Sequence, residues 1–259
     1  MCPAARARLL PAAPRGPPGG PVSHDVSEQL AAVHERIAVA ARRAAREPSA
    51  ITLVGVSKRQ PQERVVAAVA AGLRHLGENF AQEARDKRPA LLAALAERGA
   101  PAPRWHFIGQ LQRNKARLVA PHFDLVESVD RESLAVALDR RAGEAGRTLD
   151  VLLQVNLSGE AQKGGVREEE LPRLLAATAP LPHLRVTGLM GVPAAGTDPE
   201  QARPAFARLR ALRDTLSSGT EGGTLQELSM GMSGDFEVAI EEGATIVRVG
   251  TAIFGPREN

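Results

Sequence analysis

Apolar positions along this chain follow two alternating rhythms. From Ser27 onward Leu30, Val33, Ile37, Ala40, Ala41 and Ala44 recur at spacings of three and four, with charges between them. That is the stripe of a helix with one buried face, and Pro48 closes it. Beyond it, short apolar runs alternate with further helical patterns. The runs are 'ITLVGVS' (51–57), 'LRHLGEN' (73–79), 'RWHFIGQ' (104–110), 'FDLVESV' (123–129), 'DVLLQVNL' (150–157), 'LRVTGLMGV' (184–192), 'LQELSMG' (225–231) and 'TIVRVG' (245–250). Helical patterns between them cover 61–71, a stretch ending near 97, 114–120, 131–145 with Asp130 as its expected cap, 168–179, 199–216 and 234–242. 'DVLLQVNL' is apolar almost throughout, as a parallel strand covered on both faces must be. Strand–helix alternation implies parallel strands joined by right-handed crossovers. Eight such units predict a single (β/α)8 barrel of the α/β class, preceded by one extra N-terminal helix. An open doubly wound sheet is the competing arrangement.

Composition adds mainly exclusions. The 259 residues are 43% hydrophobic and 24% charged, ordinary for one globular domain, expected here over 25–259. The first 24 residues, 'MCPAARARLLPAAPRGPPGGPVSH', are rich in Pro, Ala and Arg and hold no acid. They are too proline-rich for an amphipathic targeting helix and are expected to be a disordered tail. The formal charge is +3 and the pI ≈ 9.6, from arginines scattered along helices. Aromatics are only 3% and no basic run is interleaved with them, so no stacking platform for nucleic acid is expected. Cys2 is the single cysteine, which excludes an internal disulfide and a CxxC metal pair. It fits a reducing cytoplasm, the expected location. No apolar run reaches the ~18 residues of a membrane span. GxGxxG, GxxxxGK[ST], HExxH and GxSxG are absent, and the six histidines lie in no metal-ligand spacing.

In a parallel barrel, chemistry gathers where strands end. Lys58 follows strand 1 in 'VGVSKRQP', Glu78-Asn79 end strand 2, His106 lies on strand 3, and Asn156 ends strand 5. 'SMGMSGD' after strand 7 offers the Ser229 and Ser233 hydroxyls, glycines, and N–H groups at a helix start. 'VGTAIFG' after strand 8 adds Gly250 and Thr251. Loops after strands 7 and 8 are the usual phosphate site of such barrels, because N–H groups at a helix start attract an anion. Taken singly, each also reads as a glycine turn with a serine cap. A lysine is ordinarily a solvated charge. Facing a phosphate cradle, it suggests a Schiff base with a phosphorylated aldehyde such as pyridoxal phosphate. Its amine must be neutral to attack, which calls for burial or nearby positive charge; Arg59 is adjacent. Arg248 stands two residues before Gly250 and shares the inward parity of its strand. A ring contact and a salt bridge inside the barrel are both open to it. Glu168 to Glu170 and Glu241-Glu242 read as solvated helix faces.

Six segments carry a resemblance. 'VGVSK', 'HLGENFAQEA', 'WHFIGQLQRNK', 'GLMGVP', 'LSMGMSGDFEVAI' and 'VRVGTAIFG' occur in this order over about residues 27–256. Together they closely resemble the pyridoxal phosphate homeostasis proteins, the YggS-like family also called proline synthase co-transcribed homologues. The resemblance implies a barrel similar to the alanine racemase N-terminal domain. It implies bound pyridoxal 5'-phosphate, a role in buffering or delivering that cofactor, and an influence on amino-acid and vitamin B6 balance without established turnover. Lys58 matches the lysine that forms the aldimine. Ser229, Ser233, Gly250 and Thr251 match phosphate-binding positions, and Arg248 matches the arginine facing the pyridine nitrogen. Asn79 and His106 match positions lining the pocket, with Met230 and Met232 flanking it. Lys163 in 'EAQKGG' matches a second family lysine, with transient uptake of the aldehyde and a solvated loop charge as its two readings. 'SGDF' departs from the two acids that many relatives carry there. Implied partners are pyridoxal phosphate and apo enzymes that use it, with no nucleic acid and no membrane; a monomer is expected.

The competing function is a fold-type III enzyme such as an amino-acid racemase. A two-base racemase of this type needs a tyrosine opposite the lysine, and the sequence contains none. The stretch 'TAIFGPREN' after strand 8 is expected to leave no room for the second domain that would supply it. An arginine at the pyridine nitrogen is always cationic and disfavours the ring proton, which weakens the electron sink a carbanion needs. A cofactor binder with no catalytic residue is therefore expected. A barrel enzyme acting on a phosphorylated sugar is the third reading.

Overall fold

A computed structural model describes residues 25–160, 162–194, 196, 198–218 and 225–256; the expected tail over 1–24 lies outside the described residues. Helix α1 (Val26–Arg43) comes first, with the Asp25 carboxylate accepting from the Ser27 N–H at 2.8 Å as its N-cap. Eight units follow. They are β1 (Thr52–Val56) and α2 (Gln62–Ala70), β2 (His75–Glu78) and α3 (Ala81–Glu97), β3 (Arg104–Phe107) and α4 (Ala116–Val119), and β4 (Leu125–Val129) and α5 (Glu132–Glu144). The second half holds β5 (Leu149–Val155) and α6 (Leu171–Thr178), β6 (Leu184–Gly191) and α7 (Arg203–Ser218), β7 (Glu227–Ser229) and α8 (Phe236–Glu241), and β8 (Ile246–Val249) and α9 (Thr251–Phe254). The strands pair in chain order, all parallel, and β1 pairs with β8 to close the ring. Closure rules out the open sheet and leaves no exposed strand edge.

Alternation along the strands divides the core. Outward residues such as Leu53, Leu76, Val126, Leu228 and Val247 pack under the helices. Inward residues Val54, Leu125, Leu152, Met190 and Ile246 form a small apolar plug inside the barrel. Helix α1 lays Leu30, Val33 and Ile37 onto this shell, against α8, α9 and α2. Arg46 ties its end down by donating to the Ile240 and Ala244 carbonyls at 2.9 and 2.7 Å.

Two local expectations are corrected. Asp130 does not cap α5: the N-cap residue is Arg131, and the Asp130 carboxylate takes the Arg131 guanidinium instead, at 2.5 Å. Glu241 and Glu242 are half-buried ion-pair partners and not a freely solvated face: Arg203 reaches them at 2.7 and 2.9 Å while also binding Glu200, fastening α7 to α8. Glu168 pairs with Arg208 at 2.6 Å, whereas Glu169 and Glu170 remain exposed. Among the described residues, no helix is long and apolar enough to cross a membrane, and no group of three or more His, Cys, Asp or Glu side chains could hold a metal.

Candidate functional site

Lys58 stands on a braced loop at the C-terminal end of β1. Ser57 before it is buried; its N–H donates to the Gly77 carbonyl at 3.0 Å and its hydroxyl to Glu78 Oε1 at 2.5 Å. Lys87 reaches in from α3, pairs with the fully buried Glu78, and donates to the Ser57 carbonyl at 2.8 Å. Burial raises the Glu78 carboxyl above its usual range, and Lys87 and the Ser57 hydroxyl pull against that. Arg59 after Lys58 has φ 55, a left-handed conformation costing a non-glycine residue roughly 1–2 kcal/mol. Its N–H donates to Glu83 Oε1 at 2.6 Å, which helps to hold the bend. Lys58, half-buried, is thus carried between two immobilised neighbours. The Arg59 guanidinium turns onto the ring of the exposed Phe80, 5.5 Å from its centroid, so the cation built into this bracing is Lys87.

Arg248 faces the barrel interior, as its parity predicts. It is 4% exposed, and its guanidinium donates to the Ser229 hydroxyl at 2.5 Å and to the Gly191 carbonyl at 3.1 Å. Glu127 Oε2 lies 3.7 Å away and also accepts from the Ser229 hydroxyl. Glu127 Oε1 accepts from His106 Nδ1 at 2.6 Å, and His106 Nε2 is hydrogen-bonded to His75 Nδ1 across 2.9 Å. A buried charge costs several kcal/mol unless it is paired and hydrogen-bonded, and each charge here is. Burial pushes the Glu127 carboxyl upward, but His106, Arg248 and Ser229 outweigh it and hold the group below its usual range. Burial lowers Arg248, and the Glu127 and Asp235 charges oppose that.

The loops after β7 and β8 meet beside this network. The Gly250 N–H donates to the half-buried Ser233 hydroxyl at 3.3 Å, and Thr251 is exposed next to it. A Cβ at Gly234 would meet nothing within 4 Å, and one at Gly250 would make only an ordinary 3.4 Å contact with Val56. Space is therefore open beside the Ser233 hydroxyl and Gly250. Gly231 has φ +90, and a Cβ there would strike Ala239 at 2.6 Å, so glycine alone lets α8 start this close to β7. The Asp235 carboxylate braces the same loop through the Met232 N–H at 2.6 Å.

Several expected site residues sit elsewhere. Ser229 is fully buried and its hydroxyl is committed to Arg248 and Glu127, so it belongs to the interior network and not to the phosphate set. Met230 is fully buried in the layer under the helices, because β7 alternates and Ser229 already takes the inward side. Met232 is 40% exposed and lines a recess of about 310 Å³ at the barrel mouth, together with Lys163 and Gly234. Lys163 pairs with Glu160 at 2.6 Å, as a solvated loop lysine does. Asn79 lines a recess of about 430 Å³ between the loops after β2 and β3, where Gly109 comes so close that a Cβ would strike the Asn79 carbonyl. His106 supports Glu127 and lines a recess at the opposite, N-terminal end of the barrel. Sequence reasoning missed Lys87 and Glu127, and it placed Glu78 at the end of its strand without giving it a role. A signal for Glu127 was present: it lies two residues after inward Leu125, the same parity that located Arg248.

The profile of the alanine racemase N-terminal domain matches residues 29–258. The pyridoxal phosphate homeostasis protein of Pseudomonas aeruginosa is 46% identical over 234 residues, covering 90% of this chain and 96% of that one. The structure of PipY from Synechococcus elongatus PCC7942 with PLP bound is 37% identical with a TM-score of 0.74, covering 89% of this chain and 100% of that one. D-threonine aldolase from Filomicrobium marinum shares the fold alone, at 17% identity and a TM-score of 0.64 over 88% of this chain and 60% of that one. The chain belongs to the alanine racemase N-terminal domain family and, within it, to the pyridoxal phosphate homeostasis proteins.

Proposed function

We propose that this protein binds pyridoxal 5'-phosphate through Lys58 and serves as a store or delivery form of the cofactor. The observation that carries this reading is one end of the barrel at which a lysine on a braced loop, a buried inward-facing arginine, and the Ser233–Gly250 pair come together. When bound, pyridoxal phosphate supplies an aldehyde that an amine can hold covalently and reversibly. Lys58 provides that amine. The Ser233 hydroxyl, the Gly250 N–H and the Thr251 hydroxyl donate to the phosphate. Arg248 presents a permanent cation to the pyridine nitrogen, and this disfavours the ring proton. The chain also holds no tyrosine to act as a second base. Both points favour retention over turnover. Cytoplasmic residence, a monomeric state and apo enzymes as recipients belong to the same proposal.

The test is transfer from loaded protein to an apo enzyme in the presence of a trap for free aldehyde. Reactivation that survives the trap is expected and means direct delivery. Reactivation abolished by the trap leaves a store that releases free cofactor. Sustained racemisation of any amino acid by the loaded protein, lost in Lys58→Ala, would overturn the non-catalytic reading.

A further inference from the structure

The buried carboxylate of Glu127 has no place in the attachment of the cofactor, yet it organises everything around Arg248. Its two oxygens serve two sides. Oε2 accepts the Ser229 hydroxyl proton and lies 3.7 Å from the Arg248 guanidinium; Oε1 accepts from His106 Nδ1 at 2.6 Å. A serine hydroxyl has one proton to give. Because that proton goes to Glu127, a Ser229 lone pair is left to accept from Arg248 at 2.5 Å. The Gly191 carbonyl accepts from a second guanidinium nitrogen at 3.1 Å. The planar fork of Arg248 is thus held in one orientation, with its charge balanced at a site almost closed to water. His106, backed by His75, closes off the other Glu127 oxygen, so that this carboxylate is turned toward Arg248 and Ser229 by contacts from β2 and β3.

We propose that Glu127 is the positioning residue for Arg248: through Ser229 and its own charge it fixes the guanidinium where the pyridine ring of pyridoxal phosphate is read. This rests on the assignment of Arg248 to the ring under Proposed function. Glu127 does not touch the cofactor, and its effect is transmitted entirely by the orientation and pairing of Arg248. The geometry therefore assigns the electronic character of the bound ring to a pair of residues, one contacting and one supporting.

The experiment compares wild type, Glu127→Gln, Arg248→Gln and the double variant, each loaded with pyridoxal phosphate. The readouts are the visible absorption band of the bound cofactor and its dissociation constant by equilibrium dialysis. Arg248→Gln is expected to shift the band and weaken binding. Glu127→Gln is expected to shift the band in the same direction and weaken binding about tenfold. The double variant is expected to differ little from Arg248→Gln alone, since the two residues act as one unit. Thr245→Val, which removes a half-buried hydroxyl contact to Glu227 at the far end of the barrel, lowers stability without moving the band. A shifted band in Arg248→Gln with wild-type band and affinity in Glu127→Gln overturns the inference, as does full additivity in the double variant. An unchanged band in Arg248→Gln overturns the ring assignment itself and the inference with it. Should Glu127→Gln fail to fold, Ser229→Ala decides on the same band: a shift supports the bridge, and no shift overturns it.

Discussion

The barrel has two ends, and cavity size does not tell them apart. The N-terminal end carries the roomier recess, about 520 Å³, lined by His75, Arg104, Arg185 and Glu227 among others. At the C-terminal end a recess lined by Lys163, Met232 and Gly234 among others is about 310 Å³. What differs is how the polar groups are used. At the N-terminal end Arg185 grips Asp150 with two bonds of 2.6 and 2.8 Å, Glu227 accepts from Thr245, and His75 is bonded to His106. These groups satisfy one another and close the barrel floor. At the C-terminal end the loops after β1, β7 and β8 carry Lys58, Ser233, Gly250 and Thr251, with room for an added atom beside Gly234 and Gly250. One end holds the ring together and the other carries the candidate site, which is the division of labour expected of parallel barrels.

Substitutions can break that comparison or sharpen it. The largest effect is expected from Lys58→Ala: co-elution of visible absorbance with the protein on gel filtration should vanish, while Arg185→Ala leaves it intact. Loss in the second variant, or retention in the first, would reverse the roles of the two ends. Gly250→Ala should come next. The apo chain has room for the added methyl, so melting should be unchanged while affinity for pyridoxal phosphate falls about tenfold. Unchanged affinity would remove Gly250 from the phosphate cradle. The smallest effect on the cofactor at neutral pH is expected from His75→Gln. Burial, with help from His106 and Arg104, pushes His75 down to about 4 from an ordinary 6.5. Between those values the unfolded chain binds a proton that the folded chain refuses, so stability falls as pH drops from 6.5 to 4. His75→Gln should flatten this fall in thermal melts across that window. An unaltered slope would place the acid sensitivity elsewhere.

The barrel was legible because each strand and each helix carries its own period, and the placing of Lys58 and Arg248 followed from strand ends and parity. Partners were harder to read. Glu127 and Ser229 lie 102 positions apart, and nothing local in 'DLVESV' or 'LSMG' says that they meet. Lys87 looks like one more helix charge until α3 folds against β2 and buries its amine on Glu78. Met230 and Met232 were treated alike because the motif is read as a string. The structure separates them by one change of face where β7 ends at Ser229. In each case the type and position of the side chain were visible in the chain, while its direction depended on a distant element.

The most direct test of this account is to reduce the pyridoxal phosphate-loaded protein with borohydride, digest it, and locate the modified lysine by mass spectrometry. The account predicts one modified peptide, carrying the label on Lys58. A label chiefly on Lys163 or Lys87, with Lys58 unmodified, would contradict it.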